Sequence, residues 1–319
     1  MMKVAVSSYS FSQAFRDGRL TLLESISKAK EMGFDGFEVV DFNLRSAVPA
    51  SPVDPGDPDA ERKAAMEQHE KLVELAKEIR AEADRVGIVI TNFTCGADFQ
   101  NNDVDEEIAR LKGEVDIAEI LGASGLRHDV AHGARPGKPY QSFDSLLPRL
   151  CRGITAVTEY AASKGIKTMS ENHGFFAQDA LRVEKLMNTV NHPNYGWLVD
   201  MGNFTCADED PAISVGIAAP YAVYVHAKDF IIKPADGPNP GRGFFRSRNG
   251  SYLGGTIVGR GDVPVKTCLA ALRNAGYDGY VAIEFEGIED CFFALEVGLE
   301  NLRRYINEIE EIPLKKINF

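Results

Sequence analysis

Four short stretches place a metal-capable side chain where an apolar run stops: Met169-Ser170-Glu171-Asn172-His173, Leu198-Val199-Asp200-Met201, Tyr224-Val225-His226-Ala227-Lys228 and Ala282-Ile283-Glu284-Phe285-Glu286. Glu171, Asp200, His226 and Glu284 together offer three carboxylates and one imidazole. This oxygen-rich donor set suits one divalent cation, Mn²⁺ first or Mg²⁺, and admits Co²⁺ or Zn²⁺. Carboxylates crowded at one place repel unless a cation compensates them, so the joint occurrence argues for an ion more strongly than any single residue. The five cysteines lie far apart with no C-x-x-C pair, which disfavours both a disulfide framework and a thiolate zinc site.

For these side chains to meet, the runs that carry them must be neighbouring strands ending on one face. Short β-branched or alternating runs at Val4–Ser8, Gly36–Phe42, Ile88–Thr94, Leu126–Val130, Ile166–Glu171, Tyr195–Asp200, Ala222–Lys228 and Tyr280–Phe285 alternate with amphipathic helical stretches. The helical stretches are Leu20–Met32, Asp59–Val86, Val104–Leu121, Phe143–Lys164, Asp179–Val190, Val265–Ala275 and Phe292–Ile306, with a weaker one at Asp210–Pro220. Gly33, Gly87, Gly165 and Gly276 close helices ahead of strands, where a left-handed residue is needed. Repeated βα units without a linker predict an α/β fold: a single (β/α)8 TIM barrel over residues 1–319, with a doubly wound sheet as the other arrangement. Strand tips about 4.8 Å apart then converge at the barrel mouth. Two insertions, Leu44–Pro58 and the long Phe230–Pro264 after the seventh strand, fall on that same face, where the second can serve as a lid or as a plain surface loop.

The chain has 319 residues, 44% of them hydrophobic and 26% charged, a globular composition able to bury a large core. A net charge of −12 disfavours nucleic acid as a partner. The opening MMKVAVSSYSF is too short in apolar length for a signal peptide, and no segment reads as a membrane span, so the expectation is a soluble, cytoplasmic protein.

SENHG, VDMGNF, VHAKD and AIEFEG, together with GFDGFEV and GRGDVPV, resemble the motifs of the xylose isomerase-like barrels, a group of sugar isomerases, epimerases and family 2 abasic-site endonucleases. The resemblance covers nearly the whole chain. It implies that Glu171, Asp200, His226 and Glu284 ligate the cation, and that Glu171 and Glu284 exchange the substrate proton as the matching glutamates of ketose 3-epimerases do. A cation chelating a ketose carbonyl and its neighbouring hydroxyl would stabilise an enediolate, leaving only a positioned base to be supplied. Coordination weakens a carboxylate as a base, so His173, two residues past Glu171 and on the same side of the strand, is a further candidate acid/base, with a rim hydrogen bond as its alternative role.

Three residues are expected to bind substrate. His128 ends the fourth strand, with His132 in the loop beyond and Arg127 and Asp129 beside it; alternation prevents all of them from facing the cavity. Lys228 returns to the face of His226 and can hold an anionic or hydroxyl group, or else pair with Asp229 or a rim carboxylate. Arg260 belongs to an insertion of net charge +2, counted with Asp229, that could recruit a phosphate or carboxylate. Trp197 is assigned to the core; His69 and His192 to the surface.

The function these residues imply is a metal-dependent isomerase or epimerase acting on a sugar, sugar phosphate or polyol by proton abstraction beside a carbonyl. The alternative is a lyase or dehydratase acting on an oxidised sugar, such as the catalytic subunit of a C-glycoside-cleaving enzyme. A homo-oligomer or a small partner subunit would be compatible with either. Abasic-site cleavage is disfavoured, because Asn203 and Ile231 stand where those enzymes place further histidines. A non-catalytic sugar sensor is the remaining class.

Overall fold

Strand β1 (Lys3–Ser7) pairs in parallel with β2 (Gly36–Val40) on one side and with β11 (Tyr280–Ile283) on the other, and this double pairing closes the sheet. Around the ring follow β3 (Val89–Cys95), β4 (Gly125–His128), β5 (Lys167–Glu171), β6 (Tyr195–Asp200) and β7 (Ala222–Ala227), each parallel to its neighbours. The computed structural model describes residues 1–52 and 56–312. They form the expected single (β/α)8 TIM barrel.

Helices follow the strands because each carries one apolar face and a defined stop. The helix Leu22–Met32 starts at a reciprocal Thr21/Glu24 capping box and ends at Gly33, whose φ of 98° few other residues tolerate. Val104–Leu121 forms over the predicted span. Asp41 and Phe42, expected as the end of a strand, instead open a short helix, Asp41–Ala47, in which Arg45 returns to pair with Asp41. That helix takes up the start of the first insertion; residues 53–55 of it lie outside the described residues.

The second insertion is a folded element. It forms a three-stranded antiparallel sheet, β8 (Asp229–Lys233), β9 (Phe244–Arg246) and β10 (Tyr252–Thr256), with β10 in the centre. Asp229 anchors it: its carboxylate accepts backbone N–H groups from Gly259, Gly261 and Val263 at 2.8, 2.9 and 3.1 Å. Asp229 is thus committed to the backbone and forms no ion pair with Lys228 among the described residues.

The core has two parts. Between sheet and helices lies the main apolar mass, with Trp197 wholly buried in it as expected. Inside the barrel, Ala5, Met169, Leu198, Tyr224 and Ala282 form a separate plug, and the Tyr224 hydroxyl finds Thr91 Oγ1 at 2.7 Å. Among the described residues no helix is long and apolar enough to cross a membrane.

Candidate metal centre

The plug positions the site. Side chains on a strand alternate between faces, so the residue two beyond an inward one also points inward. Met169, Leu198, Tyr224 and Ala282 fill the barrel, and two residues beyond each stand Glu171, Asp200, His226 and Glu284. Asp200 and His226 are direct cross-strand partners, and the Glu284 N–H donates to Ala227 O at 3.1 Å. Four chemistry-bearing groups thereby form the layer that caps an apolar barrel, on the face where strands end.

One ligand atom from each lies within 4.8 Å of every other. His226 Nδ1 stands 3.7 Å from Glu171 Oε1, 3.8 Å from Asp200 Oδ2 and 3.7 Å from Glu284 Oε1. Ligands at about 2.1 Å from a shared ion are separated by about 3 to 4 Å, so the spacing is that of a common centre. His226 Nδ1 and Asp200 Oδ2 are buried without a hydrogen-bond partner, the latter facing only the ammonium of Lys228 at 3.3 Å outside hydrogen-bond geometry, and such atoms are costly unless something binds them. The other Asp200 oxygen is occupied, accepting the N–H groups of Gly202 and Asn203 at 2.8 and 2.9 Å. The residues present therefore fit a divalent cation.

The imidazole is oriented from behind. His226 Nε2–H donates to Glu38 Oε2 at 2.7 Å, and Glu38 also accepts from Asn92 and Thr94, all of them buried. A carboxylate can only accept here, so Nε2 carries a proton toward Glu38 and Nδ1 is the nitrogen that faces the cage and would ligate a cation. Burial opposes a charged His226, but Glu38, Glu284, Asp200 and Glu171 outweigh it and raise its pKa. The cage draws positive charge.

Two basic residues meet part of that demand. Lys228 Nζ lies 2.5 Å from Glu284 Oε2, 3.3 Å from Asp200 Oδ2 and 3.4 Å from Glu286 Oε2. Against the cost of burial, these carboxylates push its pKa up. Arg127 Nη2 bridges Glu171 Oε2 at 2.6 Å and Asp129 Oδ1 at 2.7 Å. Despite burial, which favours the neutral acid, Arg127 and His226 hold the Glu171 pKa below its ordinary range. Asn203, at the position noted for lacking a histidine, links the two halves: its Nδ2–H donates to Glu171 Oε1 at 2.8 Å and its Oδ1 accepts from Lys228 at 3.2 Å.

Of the residues singled out in the sequence, the structure brings Glu171, Asp200, His226, Glu284 and Lys228 together. His173 is on the same rim, its Nδ1–H donating to Asp129 Oδ1 at 2.8 Å with 42% of the side chain exposed. His128 and Arg260 make no polar contact with the cage. Arg127 pairs across the sheet with Thr94 and Met169, so the inward position is Arg127, and His128 turns outward, buried edge-on against Phe99. Arg260 is exposed, its guanidinium over the Phe293 ring. Sequence reasoning passed over Glu38, Asn203 and the inward role of Arg127. Glu38 did leave a signal, a charge inside the apolar run Gly36-Phe37-Glu38-Val39-Val40. A groove of about 1480 Å³ runs past Phe15, Leu20, Phe42 and Leu75 and is lined by none of these residues.

A parallel eight-stranded barrel bearing a carboxylate and imidazole cage at the ends of its strands defines the class. The xylose isomerase-like TIM barrel family model matches residues 26–309, and the chain belongs to that family. Inosose dehydratase of Lacticaseibacillus casei is 25% identical over 179 residues, which are 55% of this chain and 58% of that protein. The chain thus spans little more than half the length of the curated relative it matches. The zinc-bound IolI protein superposes with a TM-score of 0.71 at 15% identity, over 98% of this chain and 100% of that one. The 3-keto-D-glucoside 4-epimerase of E. coli superposes at 0.65 and 17% identity, over 95% of this chain and 100% of the other. At these identities the structures bear on the fold.

Proposed function

We propose that this protein is a metal-dependent lyase that removes water from a polyhydroxy ketone of the keto-sugar or inosose type. The observation that carries this reading is the His173–Asp129 pair, a hydrogen-bonded imidazole next to the cage. Moving a proton between neighbouring carbons, or from one face of a carbon to the other, can be done by two carboxylates. Expelling a hydroxyl needs a separate acid to deliver a proton to it.

Glu171, Asp200, His226 and Glu284 would hold the cation, which when bound polarises a ketone oxygen and acidifies the neighbouring carbon. Both oxygens of Glu171 accept hydrogen bonds, from Asn203 and the Arg127 fork, which suits a fixed ligand, whereas Glu284 Oε2 is held by the single flexible ammonium of Lys228 at 2.5 Å, which can move to a substrate hydroxyl and leave that oxygen to act as the base. Glu284 then removes the proton from the carbon beside the ketone. The electron pair forms the carbon–carbon double bond as the carbon–oxygen bond one atom further on breaks. His173, with Nδ1 held by Asp129, presents Nε2–H to the departing hydroxyl, which leaves as water. Lys228 and Glu286, 3.4 Å apart beside the cage, would hold hydroxyls of the same substrate. The dehydratase relative supports the reaction class.

A second reading, epimerase or isomerase, is favoured by one feature: Glu171 and Glu284 reach the cage from different strands, each 3.7 Å from His226 Nδ1. One experiment separates the two. Mn²⁺-loaded protein is incubated in D₂O with a panel of ketoses, 3-keto-glycosides and inososes, and products are read by mass spectrometry and NMR. A product lighter by one water supports the lyase; a product of unchanged formula carrying one deuterium supports the epimerase and overturns it.

A further inference from the structure

We propose that Asp129, His132 and His173 form a second cation site at the barrel rim, one that takes Zn²⁺, Co²⁺ or Ni²⁺ in preference to Mn²⁺ or Mg²⁺, and whose occupation silences His173. One ligand atom from each residue lies within 4.8 Å of the others. His132 Nε2 stands 3.6 Å from Asp129 Oδ2, close to the edge of about 3.4 Å expected for a tetrahedral ion with bonds of about 2.1 Å. The two rings meet edge to face at 5.9 Å. The histidine side chains are 41% and 42% exposed, so an ion reaches them from solvent.

The loops are built to bring these groups together. Gly133 is held at both ends of its peptide unit, its N–H donating to Gln100 Oε1 at 3.1 Å and its carbonyl accepting from Asn101 Nδ2 at 2.9 Å. Gly174, directly after His173, has a φ of 81°, and a Cβ there would strike His132 Nδ1. Phe175 follows at φ 64°, a strained conformation for an aromatic residue, and strain of this kind collects at functional sites. The turn thus keeps His132 beside Asp129 and His173.

Donor chemistry and charge rank the two sites. Two imidazoles and one carboxylate favour the later first-row metals, whereas the three-carboxylate cage accepts hard ions. Arg127 engages both Asp129 at 2.7 Å and Glu171 at 2.6 Å and so does not separate the sites; the cage fills first because it offers three carboxylates and an imidazole against one carboxylate and two imidazoles. A rim ion bound through His173 uses either Nδ1, which breaks the Asp129–His173 hydrogen bond, or Nε2, the nitrogen that would deliver the proton, and either removes the acid. The silencing clause rests on the acid role proposed for His173; the binding clause does not.

The test is equilibrium dialysis of metal-free protein against Zn²⁺ and against Mn²⁺, with Co²⁺ absorption spectra as a second readout. The expected result is a second equivalent of Zn²⁺ in the wild type, none with Mn²⁺, and loss of that second equivalent in His132→Ala. One equivalent of Zn²⁺ in the wild type, or a second equivalent retained in His132→Ala, overturns the site. In a turnover assay of Mn²⁺-loaded protein, added Zn²⁺ is expected to lower the wild-type rate about 100-fold, the scale of a lost acid catalyst, and to spare His132→Ala. A second ion bound at full turnover overturns the silencing clause and the role of His173 with it.

Discussion

Glu38 and His226 lie 188 residues apart in the chain yet share a 2.7 Å hydrogen bond in which both side chains are wholly buried. The carboxylate on β2 selects which imidazole nitrogen faces the cage on β7. Glu38→Gln keeps the shape but loses the charge, and its amide can turn a donor toward Nε2. Cation affinity is expected to fall about 10- to 100-fold, the usual scale for such supporting contacts, with the circular dichroism spectrum unchanged. Unaltered affinity by calorimetry would mean that the tautomer is set by something else.

Lys228 compensates the cage when no ion is present. Lys228→Met leaves Glu284, Asp200 and Glu286 facing one another, so the chelated variant is expected to be less stable by about 3–5 kcal/mol, the cost of breaking a buried pair. An ion added to the variant no longer competes with an ammonium, so Mn²⁺ should raise its melting temperature more than it raises that of the wild type. Equal rises in calorimetric scans would separate the lysine from the cation.

His173→Gln and Asp129→Asn test the acid. If Glu284 takes the carbon proton and His173 delivers one to the departing hydroxyl, deuterium exchange at carbon survives in His173→Gln while dehydration falls about 10²- to 10⁴-fold. Asp129→Asn weakens the imidazole's anchor and is expected to act in the same direction by a smaller factor. Exchange and dehydration lost together in His173→Gln would give the histidine the base's role.

His128 is a pH-sensitive element of the fold. Burial is the main cause that lowers its pKa, to about 4, whereas an unfolded histidine titrates near 6.5. Between those values the unfolded chain binds a proton that the folded chain declines. Stability contributed by the neutral ring is therefore full above pH 6.5 and falls as pH drops toward 4, by roughly 3 kcal/mol in all. Urea midpoints of the wild type and His128→Gln are expected to converge across that window; parallel curves would show that His128 does not titrate this way.

The barrel was legible in the sequence because hydrophobic periodicity is local: each βα unit declares itself in its own residues, and the four candidate ligands stand where apolar runs end. The strand ends alone did not say which face each residue takes. Arg127 and His128 are adjacent, and only the register of β4 against β3 and β5 turns the arginine inward and the histidine out. Glu38 was hidden for a related reason, since its partner is 188 positions away and the contact exists only once the barrel closes. The insertion looked like a loop because its strands are short and separated by glycine-bearing turns, and they pair with each other rather than with the barrel.

Sequence by itself determined the repeated units, the donor types and the end of the barrel at which they gather, since these follow from side-chain chemistry and from periodicities spanning a few residues. Tertiary structure decided the rest: which neighbours point inward, which imidazole nitrogen is free, and that Arg127, Asn203 and Lys228 knit the carboxylates together. Those outcomes depend on cross-strand register and ring closure, which couple residues far apart in the chain and leave no mark on any short stretch of it.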